Sequence, residues 1–169
     1  MATVQCTTAR ALTWDEIVVL LNAMPKDKQP QLNKIFNDAS NVLMSLVTTC
    51  IKTTKDEEDI VELERLKRIM KACPPDEMFI RIKDKIWTVR EHLLTGNAKY
   101  FLEKDYSSLI KKDGNQSFIE SLMEIIKTLY LVASDAEKRV YFQKAKILVE
   151  LVDQFRILVG DTGSQNLPQ

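Results

Sequence analysis

Apolar residues recur at intervals of three and four along almost the whole chain, and this spacing is the feature that most restricts its fold. Residues spaced in this way share one face of an α-helix, whereas a half-buried strand requires alternation. Signals for tight turns are rare, because only four glycines and five prolines occur among the 169 residues. The sequence therefore predicts an all-α protein and disfavours β-sandwiches, barrels and glycine-rich phosphate loops.

The predicted helices form a single helical bundle of about four longer helices plus one or two short ones. Two capping boxes mark helix starts, one formed by Thr13 and Glu16 and the other by Ser134 and Glu137. We predict an N-terminal arm over 1–29 with a short amphipathic helix, a bundle over 30–160, and a flexible tail over 161–169. Helices are predicted at about 13–24, 30–53, 56–73, 76–95, 115–132 and 135–159, with short helical turns within 97–114.

The last two long helices are predicted to be antiparallel neighbours, because only Ala133 and Ser134 separate them. The first of the two carries apolar residues at alternating steps of four and three, the spacing of a heptad seam. We therefore expect six residues of these helices to be largely buried against each other: Leu122, Ile125, Leu129, Leu148, Leu151 and Phe155.

Charge and hydropathy exclude several classes of protein. The 24 basic residues equal the 24 acidic residues, so the formal net charge is zero, which argues against a chain whose main partner is nucleic acid. No apolar run approaches the roughly 18 residues of a membrane-spanning helix, so we expect no transmembrane segment. The first residues lack a basic segment followed by an apolar one, so no signal peptide is predicted.

The residue types needed for common chemistries are too few to predict an enzyme, a metal site or a cofactor. His92 is the only histidine, and the three cysteines, Cys6, Cys50 and Cys73, are far apart. We interpret them as reduced thiols, with Cys50 and Cys73 acting as small apolar residues. Four consecutive acids at 56–59 fit either a metal site or the solvated first turn of a helix, and adjacent helical positions point in different directions, which favours the helix turn.

The N-terminal arm is the predicted partner-binding region. Trp14, Ile17, Val18 and Leu21 belong to a short helix whose apolar residues cover most of its circumference, more than one buried face requires. This helix either packs on the bundle or docks on another chain, and tryptophan is enriched among interface anchors. Trp87 is a further candidate, because it lies beside the apolar stripe of its helix and either widens the buried face or anchors a partner.

Three stretches of the chain resemble small helical proteins encoded by large eukaryotic DNA viruses, a group that includes minor capsid and other virion proteins. The stretches are IKDKIWTVREHLL at 82–94, NAKYFLEKDYSSLIKKDGNQ at 97–116 and IESLMEIIKTLY at 119–130. The resemblance covers about residues 80–160. It implies protein partners such as capsid subunits, no small-molecule substrate, and a location in the virion or the host cytoplasm.

Two functions are compatible with these observations. The first is a non-enzymatic structural or assembly protein of a virus particle, of the minor capsid type, that acts through protein–protein contacts. The alternative is a helical adaptor or regulatory factor that binds a host or viral protein transiently. Nothing in the residues themselves separates the two.

Overall fold

The computed structural model describes residues 14–104 and 118–160, without the side chains of Trp14, Ile17, Val18, Leu20 and Phe118. Every regular element within these residues is a helix, which confirms the predicted all-α fold. The eight described helices are α1 (Trp14–Asn22), α2 (Gln29–Thr53), α3 (Glu57–Ala72), α4 (Pro75–Thr88), α5 (Arg90–Thr95), α6 (Ala98–Glu103), α7 (Phe118–Val132) and α8 (Asp135–Val159).

Local signals place most helix ends where the sequence predicts them. Asp56 caps α3, since its carboxylate accepts hydrogen bonds from the backbone N–H groups of Glu58 at 2.8 Å and Asp59 at 3.4 Å. Gly160 ends α8 with a positive φ of 69°, a conformation that favours glycine at the end of a helix. Thr13 and the predicted tail at 161–169 lie outside the described residues.

The predicted capping box at the start of α8 is present. Ser134 Oγ accepts a hydrogen bond from the Glu137 N–H at 3.2 Å, and Glu137 Oε1 accepts one from the Ser134 N–H at 2.8 Å. Both donors belong to a helix end that has no intrahelical partner for them. The box therefore fixes the direction in which the chain leaves α7 and enters α8.

Replacing Ser134 with alanine is expected to lower the free energy of unfolding by about 1 kcal/mol, because the Glu137 N–H loses its acceptor. In a protein of this size the melting temperature should fall by about 2–4 °C, which differential scanning calorimetry can measure. Ser134→Asp is the matched control, since its carboxylate can still cap the helix. Equal melting temperatures for the two variants would show that the cap does not stabilise α8.

The longest apolar surface belongs to α2, and α3, α4, α7 and α8 all pack against it. Three phenylalanines from different helices meet at the centre of this packing: Phe36 of α2, Phe79 of α4 and Phe155 of α8. Their ring centroids lie 5.0–6.0 Å apart with tilted planes, an arrangement that aromatic pairs favour. All three are at most 5% exposed, so this aromatic cluster joins three helices in the interior.

The predicted pairing of the last two long helices is only partly correct. All six residues of the predicted seam are buried. However, the extensive contacts of α7 are with α2 and α3, and those of α8 are with α2, α4 and α5. Near the turn, Tyr130 of α7 contacts Tyr141 and Phe142 of α8, with ring centroids 6.3 Å and 6.0 Å apart. The seam residues are thus buried because α7 packs on α2 and α3 and α8 packs mainly on α2, which the short connection does not reveal.

The single helix predicted between 76 and 95 is wrong, because the structure divides it at Val89 into α4 and α5. Val89 has φ −106° and ψ 16°, and no glycine or proline occurs between 84 and 94. The break is instead associated with contacts to α8. Trp87 lies before it and stacks on Arg156, while Arg90 lies after it and pairs with Asp153. Gly96 ends α5 with φ 67°, a conformation that favours glycine.

Candidate functional site: an apolar cavity with a buried ion pair

A cavity of about 480 Å³ lies between α2, α4, α7 and α8. Its volume falls within the range of about 300–1,000 Å³ that is usual for small-molecule sites. The wall is mostly apolar, and each of the four helices contributes to it. The principal apolar residues are Leu43, Leu46, Ile82, Ile86, Leu122 and Leu148.

Helical spacing explains why α4 supplies so much of this wall. Ile82, Lys85 and Ile86 follow one another at steps of three and one, which place them on one face of the helix, and Val89 lines the cavity at the break that follows. Ile82 and Ile86 make this face apolar. Lys85 lies at the edge of the face, and 44% of its side chain is exposed. The long aliphatic stem of a lysine can cover apolar surface while its ammonium group reaches a polar partner.

Four of the described polar residues line the cavity, Lys85, Thr88, Lys104 and Glu120, and two of them, Lys85 of α4 and Glu120 of α7, form an ion pair. Lys85 Nζ donates to Glu120 Oε2 at 2.5 Å, and 35 residues separate the two in sequence. Only 7% of the Glu120 side chain is exposed. Its second oxygen, Oε1, is buried and has no hydrogen-bond partner in the described part of the chain.

A buried carboxylate with one unsatisfied oxygen is costly, because the oxygen loses its hydration without a compensating hydrogen bond. The attraction of Lys85 offsets part of the cost of burying the charge, but removing one member of such a pair leaves an uncompensated charge. Such groups therefore call for an explanation beyond packing. The Lys85–Glu120 pair is the described polar group that is best placed to interact with a molecule in the cavity.

A smaller apolar cavity of about 90 Å³ adjoins the first. The two cavities have five lining residues in common, and these connect them through α2, α5, α6, α7 and α8: Leu46, Leu93, Phe101, Met123 and Ala145. On the far side, Tyr130, Tyr141 and Phe142 line the smaller cavity. The apolar space thus extends from the Lys85–Glu120 pair toward the turn between α7 and α8.

The structure places four of the predicted partner-binding residues on α1, which begins at Trp14. The side chains of Trp14, Ile17 and Val18 lie outside the described residues. Leu21 packs against the core, and its carbonyl oxygen accepts a hydrogen bond from Gln29 Nε2 at 2.8 Å. The C-terminal end of α1 therefore lies on the bundle.

Trp87, the fifth predicted residue, is engaged within the bundle. It packs against the core, and the Arg156 guanidinium lies 3.6 Å from the centroid of its ring. Arg90 approaches the same ring at 5.6 Å and forms two hydrogen bonds to Asp153, at 3.1 Å and 2.8 Å. Cations over a tryptophan ring are attracted by its π-electrons, so Trp87 joins α4 and α5 to α8. Of its two predicted roles, the wider buried face agrees with these contacts.

His92 belongs to a local cluster on α5 and α6. Asn97 Oδ1 accepts a hydrogen bond from the Tyr100 N–H at 3.3 Å, which orients the amide so that its Nδ2 faces His92 Nδ1 at 3.0 Å. Because the amide nitrogen is a donor, this contact fits the ring tautomer in which His92 Nδ1 accepts. The imidazole also stacks on Tyr100 with centroids 3.8 Å apart. These contacts give His92 a role in joining the two short helices.

The two described cysteines are free thiols in apolar surroundings. Burial raises the pKa of the Cys50 thiol to about 12. Burial also raises the pKa of Cys73 to about 11, helped by its hydrogen bond to the Glu77 carboxylate. Because the thiolate is the reactive form, both thiols are held in the unreactive state.

At pH 8 we expect Cys50 and Cys73 to react with iodoacetamide at least about a hundredfold more slowly in the folded chain than in the unfolded chain, where thiols titrate near 8.5. Mass spectrometry of a Cys6→Ser variant gives the rate at each site, with the urea-unfolded variant as control. The pKa values of both thiols are higher in the folded chain than in the unfolded chain. The free energy of unfolding should therefore fall as the pH rises above about 8.5, where the unfolded chain begins to lose its thiol protons. Labelling of folded Cys50 at the unfolded rate would contradict this account.

Sequence patterns did not reveal Glu120. It lies on the side of α7 opposite the Leu122, Ile125 and Leu129 stripe, where a charged residue is normally solvated. It is nevertheless 6% exposed, because Lys85 and the neighbouring helices cover this side at the N-terminal end of α7. No local signal could have found this pair, since its members come from different helices.

The described part of the chain contains no group of three histidine, cysteine or acidic side chains arranged to hold a metal ion. Among the described helices, none has the length and apolar character needed to cross a membrane. The fold and the cavity together define an all-α bundle with a largely apolar cavity between its helices. No family model, curated protein or solved structure matches the chain.

Proposed function

We propose that this chain is a non-enzymatic structural or assembly protein of a virus particle, of the minor capsid type, that acts through protein–protein contacts. The observation that carries the proposal is an exposed apolar pair at the end of α7. Leu131 and Val132 are adjacent and are 67% and 83% exposed. Single exposed apolar residues are common on protein surfaces, whereas neighbouring ones more often belong to contact sites.

The exposed pair is held in a fixed position, which favours a contact surface. The capping box of Ser134 and Glu137 follows it directly. Immediately before the pair, the ring of Tyr130 contacts Tyr141 and Phe142 of α8, and the Lys138 ammonium lies 5.1 Å from its centroid. A surface that is rigid before binding loses less conformational entropy when a partner docks on it.

The N-terminal helix supplies a second part of the proposed contact surface. Val19 of α1 is 68% exposed, while Leu21 on the same helix packs against the core. One side of α1 thus lies on the bundle and another side faces outward. The remaining support is the resemblance of about residues 80–160 to viral proteins, from which the location in the virion or host cytoplasm also follows.

Quantitative mass spectrometry of purified particles tests the proposed location. Copy numbers in a fixed ratio to the capsid subunits are expected for a structural component. Absence of the chain from particles, combined with capture of a partner from infected cells, would replace the proposal with the alternative of a transient adaptor.

Surface variants test the proposed contact. The double substitution Leu131→Ser and Val132→Ser is expected to reduce incorporation into particles at least about tenfold without loss of helicity, because it removes apolar contact area. Val61→Ser on α3 is the matched control, since Val61 is 68% exposed and distant in sequence. Deletion of 1–24 examines the contribution of α1. Normal incorporation of both the Leu131→Ser, Val132→Ser double variant and the 1–24 deletion would contradict the proposed contact surface.

A further inference from the structure

We propose that the 480 Å³ cavity is a binding site for an uncharged aliphatic alcohol, whose hydroxyl group donates a hydrogen bond to Glu120. The inference goes beyond the proposed assembly function and does not depend on it. It rests on two independent observations, the apolar wall of the cavity and the unsatisfied carboxylate oxygen beside it.

The wall of the cavity determines the body of the ligand. Leu43 and Leu46 of α2, Ile82 and Ile86 of α4, and Leu148 of α8 contribute aliphatic side chains. A cavity with such a wall favours hydrocarbon over water, because water would find few hydrogen-bond partners there. The adjoining cavity continues this apolar space past Leu46 and Ala145, so an extended chain fits better than a compact polar molecule.

The charges at the wall determine the head group. Glu120 Oε2 is already paired with Lys85 Nζ, so the pair carries no net charge, whereas Oε1 has no donor among the described residues. Lys104 also lines the cavity, and its ammonium group lies over the Tyr100 ring, 6.0 Å from the centroid. A neutral donor satisfies this oxygen without bringing another charge into an apolar space. A carboxylate head group would instead be repelled by Glu120, and an ammonium head group would compete with Lys85. A hydroxyl group therefore fits the site best.

The hydroxyl reaches Glu120 through a small motion of the side chain. Oε1 is buried beside the cavity wall. The terminal torsion of a glutamate has a broad and soft energy profile, so a rotation of the carboxylate can present this oxygen to the cavity while the pair with Lys85 persists. Binding would then supply the missing hydrogen bond to a charged acceptor, which is stronger than a bond between neutral groups.

Two isomeric probes test the head group directly. 1-Decanol and 1-methoxynonane have the same composition and nearly the same length, but only the alcohol can donate. Calorimetric titration of the full chain should give a dissociation constant at least about tenfold lower for the alcohol, the effect of one hydrogen bond to a charged group. Decanoic acid and decylamine test the ionic head groups, and both should bind more weakly than the alcohol.

Variants locate the probe in the cavity. Glu120→Leu should bind both isomers equally, because it removes the acceptor and keeps an apolar wall. Ala145→Leu should weaken both isomers at least about tenfold by filling the cavity, and Leu93→Phe provides a second filling variant. Ala136→Leu is the matched control, since it makes the same change at an exposed position of α8 and should leave both affinities unchanged.

Several results would overturn the proposal. Equal binding of the two isomers by the native chain excludes recognition by Glu120, and tighter binding of the acid or the amine excludes an uncharged head group. Full affinity in both filling variants places the probe elsewhere. Failure of every probe to bind below its solubility limit shows that the chain itself closes the cavity. If Glu120→Leu does not fold, two results still test the proposal: the preference of the native chain for the alcohol over the ether, and the affinities of the two cavity-filling variants.

Discussion

Phe155→Ala is expected to lower the free energy of unfolding by about 3–5 kcal/mol, the largest loss for any single substitution considered. Phe155 is 0% exposed, and its ring lies 5.0 Å from Phe79 and 6.0 Å from Phe36. Removing the ring leaves a void where α2, α4 and α8 meet, and it removes favourable contacts between the aromatic rings. The melting temperature should fall by about 10 °C or more.

Thermal melting, monitored by circular dichroism, measures this loss of stability. Two further variants serve as controls. Ile157→Ala changes an 80% exposed residue of the same helix and should alter stability by less than about 0.5 kcal/mol. Phe155→Leu keeps part of the apolar volume and should melt between the native chain and Phe155→Ala. If Phe155→Ala melts together with Ile157→Ala, the aromatic cluster is not the centre of the bundle.

Leu129→Ala is expected to cost about 2–5 kcal/mol, because Leu129 is 7% exposed and belongs to the core. The matched control lies two residues further along α7, where Leu131 is 67% exposed. Leu131→Ala makes the same chemical change outside the core, so its effect on stability should be within about 0.5 kcal/mol.

Urea-induced unfolding of the two leucine variants measures their difference and also tests the register of α7. A one-position error in register would rotate the helix and exchange buried for exposed positions. Similar losses for Leu129→Ala and Leu131→Ala, or a larger loss for Leu131→Ala, would show that the helix presents a different face to α2.

The roles of residues that act within one turn of a helix could be predicted from the sequence. Asp56, Ser134 and Gly160 act at helix ends through hydrogen bonds or backbone conformations of their own neighbourhood. The burial of Leu122 and Leu148 likewise follows from apolar spacing, because the apolar stripe of each helix must pack against another part of the protein. The partner that covers the stripe does not follow: for α7 it is α2 together with α3, and for α8 it is mainly α2.

The candidate site was beyond prediction for the same reason. Glu120 and Lys85 are 35 residues apart and lie on different helices, and Glu120 faces away from the apolar stripe of α7. Trp87 could be recognised as unusual, but its contact with Arg156 depends on how α4 and α8 pack. Pairs of this kind are created by the packing of helices, and single-helix periodicity contains no information about them.

The sequence by itself determined that the chain forms α-helices, where most of them begin and end, and which side of each becomes apolar. These properties depend on backbone hydrogen bonds and side chains within a few residues of one another. Only the tertiary structure decided that the helices share α2, that the chain breaks at Val89, and that an apolar cavity remains beside Lys85 and Glu120. Those features depend on how side chains from distant segments fill space together, and many arrangements of the same amphipathic helices satisfy the local pattern equally well.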